Sequence, residues 1–168
     1  MDPVLWKGRE LFSGRRCPEM IIWLDADSLP RKVRDIVSRA ACREGLEAVF
    51  VANRVVEFEP CRLCRMFVVD EGQSADDYIL ESIAPCDMAI TRDIPLAARL
   101  IEKEAVVIND RGDRFDRDTI KERLSQRNWN LALKEAGLSS SGTRSYSAAE
   151  VKRFADRFDR ELRRLGIR

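Results

Sequence analysis

The chain contains no histidine among its 168 residues. That absence removes every mechanism built on an imidazole base, the Ser-His-Asp triad included, and takes away a common zinc ligand. Cysteine is sparse and odd in number: Cys17, Cys42, Cys61, Cys64 and Cys86 lack the dense spacing of a disulfide-stapled secreted module. Reduced thiols are expected. Cys61 and Cys64 form a Cys-x-x-Cys pair, which is half a zinc site, and no second pair accompanies it. No apolar run approaches the roughly 18 residues of a membrane span, and no apolar stretch near the start leads into a small-residue cleavage site. A cytoplasmic protein with no membrane partner is the corresponding expectation.

What is present is a composition of 45% hydrophobic and 35% charged residues, enough for a soluble domain with a sizeable core. The formal net charge of +1 hides an uneven distribution, because Arg144 to Arg168 carry eight basic residues against four acidic ones. The acids concentrate in the body. A body with clustered carboxylates invites cations, and a basic tail invites polyanions. Residues 1–19 show no sustained periodicity and are expected to be an N-terminal extension, disordered or outside the native product, leaving 20–168 as one domain.

Ile21-Ile22-Trp23-Leu24 reads as a strand buried on both faces, and Val33, Ile36, Val37, Ala40 and Ala41 follow at helical spacing. The alternation then repeats. Residues 46–53 and 65–70 read as buried strands, 74–83 as a helix, 87–91 as a strand, 94–104 as a helix and 105–109 as a strand. Strands that are almost continuously apolar, alternating with helices, predict an α/β fold with a parallel sheet covered on both faces. A further helical segment holds Ile120 and Leu124 and ends near Gly137, and residues 139–147 read as a serine-rich loop. In the last helix Ser147 and Glu150 make a capping-box pair, and Val151, Phe154, Ala155, Phe158, Leu162 and Leu165 form one apolar stripe.

The acids fall where such a sheet binds ligands, at the carboxyl ends of its strands. Asp25 and Asp27 close the first strand two residues apart; like charges that near repel unless a cation, a shared proton or solvent intervenes. A helix-entry turn is the alternative role. Asp76 and Asp77 open a helix after Ser74, where acids also serve as caps, but at about 100° per residue Asp76 falls on the arc of Ile79, Leu80 and Ile83. Asp76 is therefore the better ligand and Asp77 the better cap. Asp93 follows the next strand as ligand or N-cap, and Asn109 and Asp110 follow the one after. Oxygen donors from three strand ends and an inward-facing helical Asp suit a hard divalent cation, Mg²⁺ or Mn²⁺. Arg153, Arg157, Arg160 and Arg164 fall on one stripe opposite the apolar one, a solvated face or a set of phosphate contacts.

Taken together, "IIWLDADSLP", "VFVANR", "SADDYI", "AITRDIPLA", "INDRG" and the closing Phe-containing helix resemble the YaiI/YqxD family of bacterial proteins, part of a wider PIN-like group of metal-dependent nucleases. The likeness covers about residues 20 to 165. It implies a three-layer α/β/α domain with a mainly parallel sheet, PIN-like, followed by C-terminal helices. By the same resemblance Asp25, Asp76 or Asp77, and Asp93 fall where PIN-like enzymes hold their metal, with Asn109 nearby, and Asp27 belongs to the family's Asp-Ala-Asp signature. Ser28-Leu29 stands where the family often has Ala-Cys, "INDRG" replaces Asn-Pro-Arg-Gly, and Cys-Arg-Leu-Cys stands in a loop that is polar elsewhere.

The expected function is hydrolysis of phosphodiester bonds, in RNA, with Mg²⁺ or Mn²⁺. Asp25, Asp27, Asp76 and Asp93 are the expected catalytic acids; the same four with Asp77 and Asn109 are the metal candidates. Arg92 and Arg111 are placed to hold a phosphate. Two alternatives stand beside this reading. One is a binding module for nucleic acid or nucleotides without catalysis. The other is a phosphatase of the haloacid-dehalogenase type, with Asp25 as nucleophile and Asp27 as acid and base.

Overall fold

The first apolar run forms strand β1 (Ile21–Asp25), in which every residue after Ile21 is buried. In the computed structural model, which describes residues 20–138 and 145–167, it is followed by α1 (Arg31–Glu44), β2 (Glu47–Ala52), β3 (Cys64–Val68) and α2 (Ala75–Ser82). Then come β4 (Met88–Ile90), α3 (Ile94–Glu102), β5 (Val106–Ile108), β6 (Arg114–Phe115), α4 (Ile120–Glu135) and α5 (Ala148–Arg164). The expected extension at 1–19 and most of the serine-rich loop lie outside the described residues.

The strands form one sheet in the order β3-β2-β1-β4-β5-β6. All neighbouring pairs are parallel except β5 with β6. Helices cover both faces, giving three layers. On one face α1 and α5 bury Val33, Val37, Phe154, Phe158 and Leu162 against Phe50 and Ile108. On the other, α2 and α3 bury Ile79, Leu96 and Leu100 against Trp23, Val51 and Val107. Each such side chain removed from water contributes about 2 kcal/mol, so the docking of α5 rests largely on two phenylalanines and a leucine.

Local signals account for the helix boundaries. The Asp93 carboxylate accepts the Leu96 N–H and Pro95 sits in the first turn of α3; Ser147 and Glu150 close a reciprocal capping box on α5; Gly45 ends α1 at φ +72°. Two expectations are corrected. The third strand, read as buried, is the half-exposed edge strand β3, because only β2 pairs with it. The antiparallel β6 was not anticipated, and two residues are too few to show a period. At the amino ends of the strands Asp87 accepts hydrogen bonds from the Ile21 N–H, the Trp23 indole and the Ala84 N–H, which satisfies a carboxylate buried far from the other acids.

Candidate functional site

The strand order reverses between β1 and β4: β2 and β3 build outward on one side, β5 and β6 on the other. At such a point the connections leave on opposite faces and open a crevice beyond the carboxyl ends of the strands. Asp25 and the Thr91-Arg92-Asp93 segment stand on its two sides. Thr91 Oγ1 donates to Asp25 Oδ2 at 2.8 Å and accepts the Asp93 N–H at 2.9 Å, so one buried hydroxyl sets the position of both acids. Burial pushes the Asp25 carboxyl above its ordinary range; Ser28 and Thr91 pull it down, while Asp93 and Asp27 push it further up.

Asp76 reaches the same region from the first turn of α2. Burial, reinforced by the charges of Asp25, Asp93 and Asp77, raises its carboxyl to about 6, with Arg99 acting in the opposite sense. Asp77, one residue on, is exposed and pairs with Arg99 at 3.1 Å. Helical geometry thus parts the two side chains, Asp76 toward the acids and Asp77 toward α3. The cap itself is Ser74, whose Oγ accepts the Asp77 N–H, so Asp77 lends its backbone to the cap and its carboxylate to an ion pair.

Other candidates are engaged elsewhere. Asp27 turns toward the end of β2, where its Oδ2 accepts the Asn53 N–H and side-chain amide and its Oδ1 lies 3.8 Å from Arg54. Asn109 is spent on the turn into β6, accepting the Arg111 and Asp113 N–H groups and donating to Asp113. Arg92 pairs with buried Asp110 at 3.2 Å and donates to the Ser28 carbonyl, which holds its guanidinium at the rim of the crevice. Arg111 pairs with buried Glu150 of the α5 capping box at 3.3 Å.

On α5 the arginine stripe lies away from buried Phe154, Phe158 and Leu162, with Arg153, Arg160 and Arg164 exposed, but one edge of it is engaged in ion pairs rather than left to solvent. Arg157 and Arg164 flank Glu161, a carboxylate only 1% exposed, at 3.6 and 3.5 Å, and Arg114 of β6 completes the group at 3.4 Å. Arg153 pairs with Asp113, while Arg160 is exposed. Sequence reasoning missed Glu161 because a Glu between arginines at helical spacing reads as surface, and its burial depends on β6. It also missed Arg34, whose Nε and Nη1 are enclosed without a hydrogen-bond partner among the described residues. Its place one turn before Ser38 and two turns before Ala41, both buried, was the available signal.

Asp25, Asp76 and Asp93 thus form an acidic crevice of hard oxygen donors without histidine or sulfur, the chemistry that suits Mg²⁺ or Mn²⁺. Among the described residues, no group of three or more His, Cys, Asp or Glu is arranged to hold a metal ion. Among those residues no helix is long and apolar enough to cross a membrane.

The chain is 42% identical over 142 residues to a UPF0178 protein of Bordetella petrii, covering 84% of this chain and 95% of the relative. It is 43% identical over 149 residues to a UPF0178 protein of Myxococcus xanthus, with 87% and 96% covered. A UPF0178 protein of Trichlorobacter lovleyi is 42% identical over 147 residues, with 87% and 96% covered. No solved structure matches. The model of the Uncharacterized BCR, YaiI/YqxD family matches residues 23–164, which span β1 to α5 and every acid of the crevice, and the chain belongs to that family.

Proposed function

We propose that this protein is a PIN-like, metal-dependent nuclease that hydrolyses phosphodiester bonds in RNA, using Mg²⁺ or Mn²⁺. The observation that carries the reading is Thr91 linking Asp25 and Asp93 at the switch point through its two hydrogen bonds, with Asp93 raising Asp25 and both raising Asp76. Carboxylates in that relation favour a shared divalent cation over separate ionisation. Such an ion, when bound, supplies a nucleophilic water near neutral pH and charge neutralisation at the phosphoryl oxygens, which leaves no role that histidine must fill.

The residues themselves do the rest. Asp25, Asp76 and Asp93 bind the ion. Thr91 keeps Asp25 and Asp93 in register across the crevice through its two hydrogen bonds. Arg92, fixed at the rim by Asp110 and the Ser28 carbonyl, holds a phosphate oxygen of the substrate. Asp27 keeps the loop after β2 closed over the end of β1 through Asn53. A binding module without catalysis is the second reading, favoured by the absence of a ready-made ligand sphere among the described residues.

Purified protein is to be incubated with single-stranded RNA and DNA, with and without Mg²⁺ or Mn²⁺. Cutting of RNA is expected only with metal, lost in Asp25→Asn and reduced more by Asp76→Asn than by Asp77→Asn. Cutting that survives Asp25→Asn is contamination. RNA binding without metal-dependent cutting by clean wild type establishes the binding module, and phosphate release from a monoester instead indicates a phosphatase.

A further inference from the structure

Three thiols meet at the amino edge of the parallel strands, the end of the sheet opposite the acidic crevice. Ser38 of α1 is buried with its Oγ 3.4 Å from Cys64 Sγ, and Cys42 lies one helical turn further along the same face. Cys61 and Cys64 close a tight turn, in which the Cys64 N–H donates to the Cys61 carbonyl at 3.0 Å and the Leu63 N–H points at Cys61 Sγ at 3.4 Å. The Cys61 thiol lies beside those of Cys42 and Cys64, and each acts on the titration of the others. Zinc does not suit the trio: the chain has no histidine, and no group of three or more candidate ligands among the described residues is arranged about an ion.

We propose that Cys61 is a site of reversible oxidation: a hydroperoxide oxidises it, and Cys42 then closes a disulfide that clasps α1 to the turn leading into β3. In the first step the Cys61 thiolate attacks the peroxide, the O–O bond breaks, the sulfur gains oxygen as a sulfenic acid, and the remainder leaves, protonated, as an alcohol or water. In the second the Cys42 sulfur attacks the sulfenic sulfur; the S–S bond forms, the S–O bond breaks, and the oxygen departs as water with the Cys42 proton.

The surroundings assign the roles. Burial acts to raise the Cys61 thiol, but hydrogen bonds from Cys42, the Leu63 and Cys64 N–H groups and the Cys64 thiol outweigh it and leave it below its ordinary range. Cys64 is held by Ser38, and burial pushes its thiol up to about 11, so it stays protonated. Cys42 is exposed to solvent beside Cys61, which makes it the resolving thiol.

The sequence suits a direct test, because Arg62 separates Cys61 from Cys64 and Arg43 follows Cys42, so trypsin releases the three on separate peptides. Full-length protein treated with hydrogen peroxide, alkylated and digested is expected to yield a cross-linked pair containing Cys42 and Cys61. Cys61→Ser loses the pair, Cys64→Ser keeps it, and Cys42→Ser leaves Cys61 as a sulfenic acid that a dimedone probe captures. In the reduced protein Cys61 is expected to be alkylated about 10-fold faster than Cys86. A cross-link to Cys64 instead of Cys42, alkylation of Cys61 no faster than of Cys86, or protection of all three thiols by one equivalent of Zn²⁺ overturns the proposal.

Discussion

The Asp76 carboxyl titrates near 6 in the folded chain against 3.8 for an unperturbed aspartate. Between those values the folded state keeps a proton that the unfolded state has released. Stability therefore falls as pH rises through that window, and the loss is complete above about pH 6. With the partial exposure of the side chain discounted, the penalty is about 1 kcal/mol. Asp76→Asn is accordingly expected to raise the thermal midpoint of metal-free protein near neutral pH by a few degrees, and to flatten the pH dependence below it. Melting curves in chelator across that range check this; curves that shift alike in wild type and variant would show that Asp76 is not under strain from its neighbours. With millimolar Mn²⁺ the order should invert, since only the wild type retains its full set of charges for the ion.

At the scale of elements, the docking of α5 depends on the hairpin between β5 and β6. Gly112 lies at φ +81°, and a Cβ there would stand 2.6 Å from the Arg153 carbonyl oxygen, a backbone atom that cannot step aside. Gly112→Ala is expected to destabilise the protein by about 3 kcal/mol, from left-handed strain and overpacking together. Gly72→Ala, at φ +88° with open space around it, meets only the strain and should cost about 1 kcal/mol. Urea denaturation of the pair separates the close approach from the conformational cost. The same helix carries Glu161, whose burial is tolerable only because Arg114, Arg157 and Arg164 surround it. Arg157 also donates to the Gly112 carbonyl at 3.1 Å. Arg157→Gln is therefore expected to lose about 2 kcal/mol of stability, whereas exposed Arg160→Gln leaves the unfolding curve in place.

For the whole molecule, under the proposed function, the basic tail takes the contact with the polyanion and the acidic body takes the cation. Arg160 is the stripe arginine that remains exposed with no ion pair among the described residues, and Arg160→Gln is expected to lower the salt slope of RNA binding by about 1 without changing the fold. An unchanged slope in a filter-binding titration would mean that α5 faces away from the nucleic acid. The alternation of apolar runs and helical stripes was enough to read a parallel α/β sheet, the order of its first five strands along the chain, and the caps at Asp93 and Ser147, because each depends on residues within a few positions of one another. The acids at Asp25, Asp76 and Asp93 were legible as strand-end and inward-facing residues for the same reason. Their mutual approach was not, since it arises from the reversal of strand order between β1 and β4, a relation among segments more than sixty positions apart. Pairing of Asp77 with Arg99, Arg111 with Glu150 and Arg114 with Glu161 likewise had no local signal; a charge finds its distant partner, or its burial, only when the layers have closed around it.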